Sequence, residues 1–421
     1  MLAWFSDLTP KERRTMGACF GGWSLDALDV QIYSFVIPTL LALWGISKAE
    51  AGILGTVTLL LSAFGGWIAG MLSDRYGRVR VLQITIVWYA LFTFLCGLTQ
   101  DFTQLFICRA LQGLGFGGEW AAGAVLMGEV IRDQYRGRAV GLVQTGWAVG
   151  WGAAALLYTA LFALFPAEYA WRILFSLGLL PALLVIWIRR YVEDSDIFNS
   201  RIPREAEGIM HLLTPLKPPY LATTWRVALM VTGAQGGSYA LGVWMPTYLS
   251  TVRGLSAVST GSYLLLHILG ALIGFIIASF LSDAIGRKKT FVISAVGSMI
   301  LVLTYVLAPI SNAAMLWLGF PLGIVLYMMW PPMGPFMTEL FPTEVRGTAQ
   351  GFCYNAGRGI GALFPALVGF LATQLSLAGA IALFSLVAYC VMIGALLMLP
   401  ETRGRRLEDI ELREARSVIA G

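Results

Sequence analysis

Charge is what this 421-residue chain has least of: Asp, Glu, Lys and Arg make up 13% of it, against 57% hydrophobic residues. That is roughly half the usual complement of charge, and it excludes a water-soluble enzyme. Histidine is nearly absent, with His211 and His267 alone, too few for a metal site. The five cysteines, Cys19, Cys96, Cys108, Cys353 and Cys390, fall inside or at the ends of apolar runs without a CxxC spacing. They read as small packing residues, so neither a disulfide framework nor a metal cluster is expected, and no cofactor is implied. No nucleophile–base set is present, which argues against a membrane-embedded enzyme. The opening residues, Met1 to Asp7, lack the pattern of a cleavable signal peptide.

Long apolar runs are what the chain does have. A bilayer core of about 30 Å needs roughly 20 apolar residues per helix. Breaks fall after Leu41, Ser73, Thr99, Val130, Phe165, Arg190, Ser250, Ser282, Ala308, Glu339 and Gln374, which predicts twelve spans. The formal charge of +5 is not a nucleic-acid signal, because its Lys and Arg sit in particular loops. They crowd the amino terminus (Lys11, Arg13, Arg14), alternate hairpins (Arg75, Arg78, Arg80; Arg132, Arg136, Arg138; Arg287, Lys288, Lys289; Arg346), the central loop and the tail. The opposite loops hold little beyond Lys48, Arg172 and Arg253. The positive-inside rule then places both termini and the central loop in the cytoplasm, which needs an even number of spans.

The chain repeats itself. Leu72-Ser73-Asp74-Arg75-Tyr76-Gly77-Arg78 returns 209 positions later as Leu281-Ser282-Asp283-Ala284-Ile285-Gly286-Arg287. Glu129 with Arg136-Gly137 returns 210 positions later as Glu339 with Arg346-Gly347. Two matches in one register mean duplication, and a duplicated membrane chain with charged hairpins at equivalent places has the form of a two-half transporter. The expected division is a first six-helix half over 1–190, a linker over 191–222, a second half over 223–400 and a tail over 401–421. The linker middle forms either a short surface helix or a solvated loop. The tail carries charge at helical spacing and is expected to be a short helix.

Ionisable groups inside apolar spans cost several kcal/mol unless paired or hydrated, so each is a functional candidate. Asp26 and Asp29, three apart on one helix face, are candidates for proton handling; the bland reading is a carboxylate paired with an amide or an arginine. Arg358 lies about 18 Å into its span, near the midplane, and its counterpart in the first half is Ala148. It either captures a substrate carboxylate or pairs internally with Asp26, Asp29 or Glu119. Arg109 and Glu119 are about 15 Å apart along one helix and cannot pair with each other. Glu119 is open to three readings: substrate, proton or a lock between halves. His267 either titrates or is a packed polar group. Gln31, Trp147, Gln235, Tyr239, Tyr354 and Asn355 complete a mid-membrane zone of aromatic and amide side chains suited to a small organic anion. The glycines of the fourth and fifth spans serve either close helix packing or hinging.

These segments resemble the major facilitator superfamily over the whole chain. GMLSDRYGRVRV and FLSDAIGRKKT are similar to its loop signature and its repeat copy, RALQGLGFGG resembles the fourth-helix signature, and ELFPTEVRGT and PETRGRR resemble the tenth-helix exit and tail of sugar-porter-related branches. LDALD in the first helix is similar to an element of aromatic acid, sialate and metabolite:proton symporters. The resemblance implies an all-α membrane protein with twelve transmembrane helices in two six-helix halves, monomeric in the bacterial inner membrane. It implies alternating access driven by protons, with Asp26, Asp29, Arg109 and Glu119 in coupling and Arg358 on the substrate. It also implies that Asp74 and Arg78, with Asp283 and Arg287, lock the cytoplasmic side. A proton-driven exporter and a sugar or polyol facilitator are the rival readings; the latter gives a buried arginine no counter-charge.

Overall fold

The computed structural model describes residues 3–192 and 214–404. The linker middle, expected as a surface helix or a solvated loop, and the charged tail, expected as a short helix, lie outside the described residues, as do the side chains of Asp74, Arg78 and Glu119. After a helical turn at Ala3–Ser6 come α1 (Pro10–Trp44), α2 (Lys48–Tyr76), α3 (Arg78–Cys96), α4 (Phe102–Val130), α5 (Asp133–Leu164), α6 (Ala167–Ser176) and α7 (Pro181–Tyr191). Beyond the linker follow α8 (Leu221–Gly242), α9 (Met245–Thr247), α10 (Ala257–Ile285), α11 (Arg287–Leu307), α12 (Asn312–Tyr327), α13 (Met333–Thr338), α14 (Thr343–Gly361), α15 (Phe364–Leu371) and α16 (Leu377–Leu397). The described residues form helices and connections only.

All eleven predicted breaks fall at a helix end to within three residues. Local chemistry explains several ends. Thr9 and Ser47 cap α1 and α2 through reciprocal bonds with Glu12 and Glu50, and Pro10 occupies the first turn of α1, where no N–H is needed. The duplicated hairpins turn at Gly77 (φ 98°) and Gly286 (φ 106°), a region closed to side chains with a Cβ. The repeated Gly-Arg of the sequence therefore marks one backbone turn made twice.

Eight helical runs among the described residues are each long and apolar enough to cross a bilayer unaided. Helices α8 and α14 are not among them, and α12 is apolar but shorter. The first two carry Gln235 and Arg358, and a helix that lines a polar cavity gives up hydropathy to do so. Several predicted spans are also interrupted: α6 passes through a tight turn at Leu177–Leu179 into α7, and α8, α12 and α14 break before Met245, Met333 and Phe364. Proline lies just inside the segment after each break, at Pro181, Pro246, Pro335 and Pro365, and cannot donate the hydrogen bond that would carry the helix through.

Glycine lets the helices approach to backbone contact. A Cβ on Gly113 or Gly117 of α4 would strike the carbonyls of Thr58 and Ser62 on α2, and one on Gly150 of α5 that of Ser24 on α1. Packing accounts for these positions; Gly141 and Gly152 have looser surroundings. The two parts of the chain meet along α5 against α10, and along α2 against α14 and α15. At the α2–α15 seam a Cβ on Gly52 would lie 2.5 Å from the Pro365 carbonyl, and one on Gly369 would strike that of Lys48. The Ala366 N–H donates to Thr56 Oγ1 at 3.1 Å across the same seam, and Trp244 Nε1 donates to Pro365 O at 3.0 Å.

At the end bearing the basic hairpins, Arg287 bonds Asp283 and also Glu339 Oε1 (3.1 Å). Thr402 Oγ1 donates to Glu339 at 2.5 Å, and Glu401 accepts the backbone N–H groups of Arg287, Lys288, Thr402 and Arg403. Asp283 and Arg287, the expected second lock, thus belong to a network that joins α10, α11, the end of α13 and the strap that follows α16, all in the second part of the chain. Partial burial opposes ionisation of Glu401, but the four N–H donors outweigh it and hold its carboxyl below the usual carboxylate range. A depressed folded pKa contributes stability above the ordinary carboxylate value and loses it as pH falls through the folded one. Amide exchange should therefore show the Arg287 and Lys288 N–H groups losing protection on acidification, whereas Glu401→Gln should leave them weakly protected at every pH.

Candidate functional site

A cavity lies between α1, α2, α4 and α5 on one side and α8, α10, α12 and α14 on the other. Five of the predicted residues line it together with both arginines: Gln31, Trp147, Gln235, Tyr239 and Tyr354, with Arg109 and Arg358. Tryptophans 23 and 147 pack with ring centroids 5.0 Å apart, and Phe116 lies 6.4 Å from Trp147, forming an aromatic wall. Asn355 is not on the cavity wall: its Nδ2 donates to Gly351 O at 3.0 Å and its Oδ1 lies over Gly66, in the α2–α14 seam. One residue away on a helix is a rotation of about 100°, enough to turn Asn355 aside while Tyr354 faces in.

Arg358 is 3% exposed. Its guanidinium lies 5.0 Å from the Tyr354 ring and 5.3 Å from that of Phe116, and Nη2 is 3.4 Å from the Tyr354 hydroxyl. Of the three internal partners that the sequence left open, Asp29 and Asp26 do not pair with it, Asp26 acting on the guanidinium electrostatically from beyond salt-bridge distance, and the side chain of Glu119 lies outside the described residues. Arg358 Nε has no partner. Among the described residues the guanidinium is held by π faces and by the Tyr354 and Tyr239 hydroxyls, which compensate a buried cation incompletely.

Asp26 and Asp29 are 0% and 1% exposed, behind the cavity wall. Asp29 is joined to Arg109 by a chain of hydrogen bonds. Thr93 Oγ1 lies 3.0 Å from Asp29 Oδ2, Gln112 Nε2 donates to Thr93 Oγ1 at 2.6 Å, and Arg109 Nη1 donates to Gln112 Oε1 at 2.7 Å. The guanidinium of Arg109 stacks 4.3 Å over Tyr33, whose hydroxyl donates to Ala51 O at 2.6 Å. Sequence reasoning missed Thr93 and Gln112. The available signal was polarity: Gln112 follows Arg109 by three, on the same face, and Thr93 interrupts an apolar run.

His267 is a packed group here, with Nδ1 3.0 Å from Gly319 O and its ring edge-on to Trp151 at 5.5 Å. It is off the cavity wall. Asp283 and Arg287 lie in the hairpin network, remote from the cavity in sequence and in lining.

A family model described as Major Facilitator Superfamily matches residues 19–364 and 264–421. A Cupriavidus pinatubonensis protein named a probable 4-methylmuconolactone transporter is 44% identical, over 100% of this chain and 98% of its own. A cis,cis-muconate transport protein of Acinetobacter baylyi is 32% identical over 83% of this chain and 85% of its own. Among solved structures, a bacterial homologue of the human lysosomal transporter Spinster, in an inward-facing and unoccupied conformation, has a TM-score of 0.69. It covers 93% of this chain and 95% of its own at 17% identity, a likeness of fold.

Proposed function

Because this chain belongs to the major facilitator superfamily, we propose that it carries a small organic acid across the bacterial inner membrane together with protons, by alternating access. It is a multi-pass membrane transporter and not an enzyme. The proposed halves are 1–190 and 223–400, with both termini cytoplasmic. The observation that carries the reading is Arg358: a buried guanidinium on the wall of an aromatic cavity, with no carboxylate paired to it among the described residues. A neutral sugar would leave that charge uncompensated. Relatives named for muconolactone and muconate transport support a short unsaturated acid as the substrate.

Proton coupling is assigned to Asp29 through the Thr93–Gln112–Arg109 chain. The Thr93 hydroxyl has one hydrogen, within reach of both Asp29 Oδ2 and the Tyr89 carbonyl (2.8 Å). It serves the carboxylate when Asp29 is ionised and the carbonyl when Asp29 is protonated, so the proton alters how Arg109 and Tyr33 are held at the cavity wall. Coupling requires that proton and substrate favour the same conformation by a few kcal/mol.

Uptake into proteoliposomes tests this. An inward proton gradient should accumulate muconate, and Asp29→Asn should abolish accumulation while sparing equal-concentration exchange. Proton movement opposite to the substrate would assign an exporter, and uptake indifferent to pH a facilitator.

A further inference from the structure

The buried groups on the cavity wall share a property that charge alone does not require. Arg109 Nε, Gln235 Nε2, Trp330 Nε1 and Arg358 Nε are buried and have no hydrogen-bond partner, and all four residues line the cavity. All four atoms are N–H donors, and the two guanidiniums and the indole can only donate. Unmade hydrogen bonds on buried donors are costly, so a wall that holds several is built for a ligand that brings acceptors. A carboxylate at Arg358 answers one of them. It leaves Gln235 and Trp330, which stand on α8 and in the break between α12 and α13.

Both line the same cavity as Arg358. Gln235 is 2% exposed and packs against Gly361, one turn beyond Arg358 on α14. Tyr239, one turn along from Gln235, reaches the Arg358 guanidinium. Arg109 is separate: Phe116, under Arg358, is seven residues from Arg109, about 10 Å along α4, and Arg109 is engaged with Gln112 and Tyr33.

Resting on the organic-acid reading above, we propose that Gln235 and Trp330 form a neutral donor subsite for a second oxygen acceptor of the substrate, at a distance from its carboxylate. The substrate class is then an unsaturated acid with a remote carbonyl oxygen, as in a lactone, an ester or a second carboxyl group. A hydrocarbon acid of the same skeleton leaves both donors buried and unpaired and is rejected, since a site built to hydrogen-bond discriminates against ligands lacking the group.

Three ligands with one six-carbon diene separate the contributions: trans,trans-muconate, its monomethyl ester and sorbate, which lacks the second carboxyl group. Binding to the purified full-length protein by titration calorimetry should favour the ester and the dioate over sorbate by roughly ten- to a hundredfold. Gln235→Met, which keeps the shape and removes the donors, and Trp330→Phe should each shrink that ratio, and the double variant should bring it near unity. Equal affinity of the wild type for all three, or a ratio undiminished in the double variant, overturns the subsite. The organic-acid reading fails differently: no ligand of the series binds, or Arg358→Ala binds all three as the wild type does.

Discussion

Arg358→Ala should reduce organic-acid uptake by more than about a hundredfold. On the proposed reading its guanidinium is the counter-charge for a substrate carboxylate taken out of water. Removing one partner of a buried charge pair costs roughly 3–5 kcal/mol, because the other charge is left alone in a medium of low dielectric. The loss should appear chiefly in apparent affinity, with transport recovering in part at high substrate. Arg358→Lys should not restore it: the ammonium lacks the planar fork, and its strongly hydrated charge gains less from the Phe116 and Tyr354 faces than a guanidinium does. Initial-rate uptake in proteoliposomes, with orientation matched between variants, is the measurement. An undiminished rate in Arg358→Ala would remove the carboxylate assignment.

Gly369→Val should arrest the transport cycle without touching the cavity. A Cβ at 369 strikes the Lys48 carbonyl and lies 2.9 Å from the Trp244 ring, so α15 cannot rest on α2 as it does here. Backbone cannot turn aside as a flexible side chain can, and the seam must part. On the proposed alternating-access reading this seam closes and opens in turn, and a steric cost of a few kcal/mol on one state moves a two-state population by a hundredfold or more. Ser34 lines the cavity and supplies the reporter. In a background with the five native cysteines replaced, Ser34→Cys should react with an impermeant maleimide at the outer face at least tenfold faster when Gly369→Val is present. Uptake should fall in parallel. Gly394→Val, where a Cβ meets nothing within 4 Å and which is off the cavity wall, is the control. Unchanged labelling would mean that the seam is not the outer gate.

The sequence by itself determined the framework: a membrane protein, its spans, its duplication and its short set of intramembrane charges. Each of these is a local or additive property. Helix ends follow from nearby residues such as Thr9, Ser47 and Gly286, and hydropathy sums along a run whatever the run packs against. What only the tertiary structure decided is which side chains meet. Asp29 reaches Arg109 through Thr93 and Gln112, contributed by three helices, and no spacing along one strand of sequence encodes that meeting. Asn355 and Tyr354 are neighbours in the chain, yet one enters the helix seam and the other the cavity. Above all, Arg358 could have been an internal ion pair or a substrate site. The packing of the helices left Asp26 and Asp29 beyond salt-bridge distance of it, a fact of three-dimensional distance that the one-dimensional order of residues does not contain.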